Sequence, residues 1–123
     1  MSKFVWSDAL AVGDPKMDLQ HKKLMHMMNG LGECAEAGFS HDILIQLLDE
    51  MTTTFRNHFD NEEALLAAKQ QNGLDDHKAI HDHFINIIIK LKCCLNEDNK
   101  ADALDLYEEL NNQFVQHMLN ETI

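Results

Sequence analysis

Three short breaks divide this chain: "AGFS" at 37–40, "QQNGLDD" at 70–76 and "NEDNK" at 96–100. Between them, residues suited to a core recur in steps of four and three. The first stripe is Met17, His21, Leu24, Met28, Leu31, Ala35, and the second is Leu44, Leu48, Met51, Phe55, His58, Glu62, Leu65. The third is His77, His81, Phe84, Ile88, Leu91, Leu95, and the fourth is Ala103, Leu106, Leu110, Phe114, His117, Glu121. That spacing is one face of a helix, and each face here reads as the seam of a bundle. It predicts helices over about 16–37, 41–70, 75–95 and 99 to the end. Gly38 is the expected stop of the first helix and Ser40 the cap of the second. Asn72 and Gly73 form a turn signal, with Asp75 as the cap of the third helix. Connections this short make neighbouring helices antiparallel. The expected fold is therefore all-α, an up-down-up-down four-helix bundle. Residues 1 to about 14 form an extended N-terminal arm whose aromatics, Phe4 and Trp6, pack on the bundle.

The chain has 123 residues, enough for one domain spanning 1–123 and too few for two. One Pro and five Gly leave the helices uninterrupted. The formal charge of −11 would be repelled by phosphate backbones and anionic lipid, so neither nucleic acid nor a membrane surface is an expected partner. The opening "MSKFVWSDAL" has no apolar h-region and no cleavage site, and no apolar run reaches the length of a membrane span. Cys34, Cys93 and Cys94 are odd in number and form no C-x-x-C pair, as suits free thiols in a reducing, cytoplasmic setting.

The chain has eight histidines. A seam taking two positions in seven would catch about two of them by chance. It catches His21, His58, His77, His81 and His117, together with Glu62 and Glu121, whereas His26 and His83 lie off it. His77 and His81 are four apart, so they stack on one face. Height along the bundle agrees. His21 and the His77–His81 pair are near the starts of their helices, and His58, Glu62 and His117 are near the ends of theirs. In an antiparallel bundle these positions share one level.

A lone seam histidine is more often a hydrogen-bonded core residue than a ligand. Five at one level cannot easily satisfy one another: neutral rings need partners, and charged rings repel in a low dielectric. A metal resolves both difficulties. Five ring nitrogens with one or two carboxylates exceed a closed tetrahedral zinc site, but suit a pair of ions bridged by carboxylate. Imidazole with carboxylate suits iron, and no cysteine falls on a seam.

In these motifs the chain resembles the single-domain bacterial hemerythrins over nearly its whole length. The resemblance is carried by "MDLQHKKL" around His21, "HFDNEE" with His58 and Glu62, "HKAIHDHF" with His77 and His81, and His117 near the end. It implies a hemerythrin-like domain with a non-haem centre of two iron ions (Fe2+/Fe3+), bridged by an oxo or hydroxo group, that binds dioxygen reversibly. One iron would be held by His77, His81 and His117. The other would be held by His21 and His58, with Glu62 bridging the two. The family's second bridging carboxylate, an aspartate five residues after the last histidine, is here Thr122. Glu121 is four residues after His117 and on the seam, so it is the expected replacement.

The implied function is oxygen carriage, storage or supply, without catalysis. The alternative is a di-iron enzyme or scavenger reacting with oxygen, peroxide or nitric oxide. Carboxylate-rich di-iron proteins use Glu-x-x-His on two helices, and this chain has no such motif, which favours binding. A sensing module would need an output partner. Asp60, Asn61 and Glu63 read as a solvated face from which one side chain can reach a ligand's second nitrogen.

Overall fold

The computed structural model describes residues 4–69 and 74–120, apart from the side chains of Leu74, Leu119 and Asn120. Four helices follow one another: α1 (Pro15–Glu36), α2 (His41–Ala68), α3 (Leu74–Asn96) and α4 (Lys100–Asn120). No strand occurs among the described residues, so the chain is an all-α bundle, and the expected helix bounds that fall among the described residues hold to within a residue or two, while those at 70 and at the chain end lie outside them.

Local chemistry fixes the ends. Asp14 takes backbone N–H donation from Lys16 at 3.0 Å and Met17 at 3.1 Å, and Pro15 fills the first helical position, where no N–H is needed. Gly38 closes α1 at φ 76°, a left-handed conformation open to glycine, with its N–H bonded to the Ala35 carbonyl at 3.2 Å. The Ser40 hydroxyl caps α2 through the Ile43 N–H at 3.4 Å. The α3–α4 turn uses Asp98 at φ 56°, a role glycine usually fills, and Asn99 caps α4 by accepting from the Asp102 N–H at 3.2 Å. Asp75 departs from expectation. It lies inside the first turn of α3, which starts at Leu74, so its charge favours that helix from within. The Asn72–Gly73 turn lies outside the described residues.

Each helix turns its stripe inward. Leu24, Met28, Leu48, Phe55, Ile88, Leu110 and Phe114 are fully buried. Two deviations show the drift of a 3.6-residue helix against a 3.5-residue seam. Late in α2, Leu66 is buried where the stripe chose Leu65, which is only partly covered. Phe59 also turns inward beside Phe55, their rings 5.6 Å apart. The arm packs as expected, with one addition, a 3-10 turn at Asp8–Leu10. The Phe4 ring meets Phe114 edge-on at 5.1 Å, and Lys22 sits 4.9 Å over the Trp6 ring. Thr52, Thr53 and Thr54, midway along α2, each return their hydroxyl to the carbonyl four residues back.

The Asp14→Ala variant should lose about 1 kcal/mol of stability, the usual worth of such a cap, read as a lower urea midpoint with unchanged slope. An unchanged midpoint would show that Pro15 alone defines the start of α1.

Candidate metal centre

Among the described residues, the buried polar and charged ones are His21, His58, Glu62 and His81. They come from three helices and meet at one point, and α4 adds His117, whose side chain is 7% exposed. Glu62 is the hub. Its Oε2 lies 3.0 Å from His58 Nε2, 3.3 Å from His117 Nε2 and 3.5 Å from His21 Nε2. Its Oε1 lies 3.2 Å from His81 Nε2. One carboxylate thus faces imidazoles of all four helices, which also establishes that the helices alternate in direction.

The rings are held from behind. His58 Nδ1 donates to Gln20 Oε1 at 2.7 Å, and His81 Nδ1 donates to Glu63 Oε2 at 2.9 Å. Each bond fixes a tautomer and leaves Nε2 with its lone pair toward the interior. Phe59 lies flat on His81, with ring centroids 4.0 Å apart and planes 4° from parallel. A shallow cleft lined by Gln20, Lys23, Thr54, Asn57 and Asn61 reaches the outer edge of His58.

The sequence-based candidates fare unequally. His21, His58, Glu62 and His117 bring donor atoms within 4.8 Å of one another, and His81 joins through Oε1. His117 stands between the two sets of rings, its centroid 5.4 Å from His58 and 5.7 Å from His81. His77 is one turn before His81, half-buried, with ring centroids 6.1 Å apart, and it makes no hydrogen bond or ion pair with Glu62. Glu121 lies outside the described residues, as does Thr122. His83 and His26 point to the surface. Sequence reasoning missed Gln20. Its position one residue before His21 was the available signal, since adjacent residues on a helix lie about 100° apart and Gln20 thereby faces α2.

The donor set fits a metal. Both oxygens of Glu62 and Nε2 of His81 are buried without a hydrogen bond of good geometry, although nitrogens and oxygens crowd within 3.0–3.5 Å. Buried polar atoms left in that condition cost stability unless something else satisfies them, and a carboxylate ringed by imidazole nitrogens is a donor set for a cation. The thiols take no part: Cys34, Cys93 and Cys94 sit at the other ends of α1 and α3. The donors are therefore nitrogen and oxygen, a set suited to iron.

Burial lowers the His58 imidazole below its ordinary 6.5, more than Glu62 raises it, with His117 and His21 adding to the depression. For Glu62, burial alone would raise the carboxyl. The surrounding imidazoles of His117, His21, His58 and His81 outweigh it and hold the carboxyl well below its ordinary 4.5. Both groups thus bind protons more weakly in the folded state than in the unfolded chain. Their contribution to stability is complete above pH 6.5 and is lost on acidification, His58 first and Glu62 only below about 4.5. The urea midpoint of metal-free protein should begin to fall below about pH 6.5, at no more than about 1.4 kcal/mol per pH unit for one group. His58→Gln should flatten that first decline, and a midpoint rising toward pH 5 would contradict the assignment.

A bundle that points imidazoles from four helices at one buried carboxylate defines a class, the helical metalloproteins whose site is built in the bundle core. Residues 12–122 match the family described as the hemerythrin HHE cation binding domain. The chain belongs to the hemerythrin family. It is 33% identical over 85 residues to the bacteriohemerythrin of Pseudomonas aeruginosa, covering 69% of this chain and 55% of that one. It is 26% identical over 113 residues to the bacteriohemerythrin of Ralstonia nicotianae, covering 92% and 79%. It is also 26% identical over 96 residues to the myohemerythrin of Theromyzon tessulatum, covering 78% and 74%. The chain thus spans little more than half the length of its Pseudomonas relatives. The family's description supports a cation-binding function. Among the described residues, no helix is long and apolar enough to cross a membrane.

Proposed function

We propose that this chain is a single hemerythrin-like domain that binds dioxygen reversibly at a non-haem di-iron centre, and that it is a carrier, store or local supplier and not an enzyme. The observation that carries the reading is Glu62, fully buried, with Oε1 facing His81 and Oε2 facing His21, His58 and His117. A carboxylate that offers its two oxygens to different imidazoles is placed to bridge two ions.

The residues that would hold iron are His21, His58, Glu62, His77, His81 and His117, with Glu121 as the second carboxylate in place of the family's aspartate. Bound iron would supply the electrons and the open position that dioxygen needs. The protein's own part is positioning and exclusion. Gln20 and Glu63 hold His58 and His81 in fixed tautomers. Phe59 covers the face of His81, and Phe55 and Phe114 lie beneath, so the inner wall is apolar. An apolar wall keeps water and protons away from the centre, which would favour reversible binding of dioxygen over its reduction.

The test is anaerobic loading with ferrous iron, then dioxygen, then its removal. Two irons per chain, and a charge-transfer band that appears with oxygen and disappears without it, are expected. Fast irreversible oxidation with peroxide released would overturn carriage in favour of an oxidase or scavenger. One iron per chain would overturn the role of Glu121.

A further inference from the structure

The two rings braced from behind are braced by different chemistry. His58 Nδ1 donates to the amide oxygen of Gln20 at 2.7 Å, whereas His81 Nδ1 donates to the carboxylate of Glu63 at 2.9 Å. Each brace reaches across from the preceding helix and stands beside another candidate ligand: Gln20 precedes His21 on α1, and Glu63 follows Glu62 on α2. One bond is therefore between neutral groups. The other is charge-assisted, a class about twice as strong. The Glu63 side chain is only 20% exposed, so solvent screens its charge incompletely. A carboxylate that draws on Nδ1–H pushes electron density onto Nε2 and makes the ring a stronger ligand. An amide oxygen does so far less.

The space around the rings differs in the same direction. The His81 ring is pinned on one face by Phe59, stacked at 4.0 Å, and at its outer edge by Glu63. His58 has a polar cleft of about 200 Å³ at its outer edge, lined by Lys23, Thr54, Asn57 and Asn61 together with Gln20. A ring with room behind it and a neutral brace can swing outward and release an ion. A ring held between a phenyl face and a carboxylate stays in place.

We propose that Gln20 and Glu63 are positioning residues that make the two halves of the centre unequal. Glu63 gives the His81 side, at Glu62 Oε1, the ion that binds first and tightly. Gln20 leaves the His21–His58 side, at Glu62 Oε2, with an ion that binds second and exchanges through the cleft. The chain therefore has a stable one-ion state and can hold two different divalent metals, one on each side. This inference rests on the di-iron reading above and adds to it an order of loading.

The test treats the full ferrous-loaded chain with a graded chelator under anaerobic conditions and counts iron per chain. Iron should leave in two steps. Zinc added to the half-stripped chain should then appear beside His58, with iron retained beside His81, in anomalous-scattering maps at the two absorption edges. Gln20→Glu should tighten the iron that leaves first by about tenfold or more, and Glu63→Gln should weaken the retained one by about as much. Damage to the fold would not tighten binding, so the gain in Gln20→Glu separates positioning from a merely structural role. Zinc beside His81 or spread over both positions would overturn the inference, as would a Gln20→Glu chain that loses iron like its parent. A chain that never holds more than one iron would instead overturn the di-iron reading, and this inference with it.

Discussion

Glu62→Gln should lower iron affinity at least about 100-fold while leaving the metal-free protein within about 1 kcal/mol of its original stability. The two halves of that expectation have different causes. A bridging carboxylate contributes charge to both ions, and an amide of the same shape contributes none. In the metal-free chain, the amide oxygen can still accept from ring N–H groups and its NH₂ can donate to a ring lone pair, so the four imidazoles around position 62 keep partners. Glu62→Leu removes that second possibility. It should cost several kcal/mol even without metal, because His21, His58 and His81 are buried with it. Ferrous titration under anaerobic conditions and thermal melts of metal-free protein separate the two. Unchanged iron uptake by Glu62→Gln would mean that the carboxylate serves the bundle and not an ion.

The second large effect belongs to the core. Phe55 is fully buried, with its ring 4.5 Å from Phe84, 5.6 Å from Phe59 and 5.9 Å from Phe114. Phe55→Ala should cost about 3–5 kcal/mol, through lost transfer energy and the cavity left behind. That is a large part of the 5–15 kcal/mol typical of a domain. The effect should also reach the metal centre, because Phe59 rests against Phe55 and stacks on His81. Iron should therefore bind more weakly in the variant even under conditions where it is fully folded. Ile80→Ala offers the contrast: half exposed, it should change stability by no more than about 0.5 kcal/mol. Equal losses in the two variants would show that the aromatic layer does not organise the bundle.

Much of this was legible in the sequence. The four stripes gave the helices because burial in a bundle imposes a period, and the breaks gave the ends because Gly38 and Ser40 have conformational and capping roles that few residues share. The cluster of His21, His58, Glu62, His81 and His117 followed from seam position and height together. Other features do not follow a period. Phe59 and Leu66 are buried because a straight helix drifts from the seam by about 20° per heptad. Gln20 looks like a surface residue, and which of Asp60, Asn61 and Glu63 reaches a ring is decided only once that ring is placed in space. Asp98 occupies a left-handed turn position for which glycine is the usual signal, and Asp75 sits one step inside the helix it was expected to cap. Spacing also placed His77 and Glu121 on the seam, but His77 stands one turn outside the cluster around Glu62, and Glu121 lies outside the described residues.

The alternation of the four helices has an electrical consequence at the level of Glu62. There α1 and α3 present their amino ends, while α2 and α4 present their carboxyl ends. Aligned peptide units leave about half a positive charge at the first kind of end and half a negative charge at the second. Two of each nearly cancel. The scaffold is close to neutral toward whatever ion it surrounds, and the potential at that ion is set by a few side chains. Glu63 behind His81 carries charge and Gln20 behind His58 does not, so two ions in otherwise similar surroundings would feel different fields.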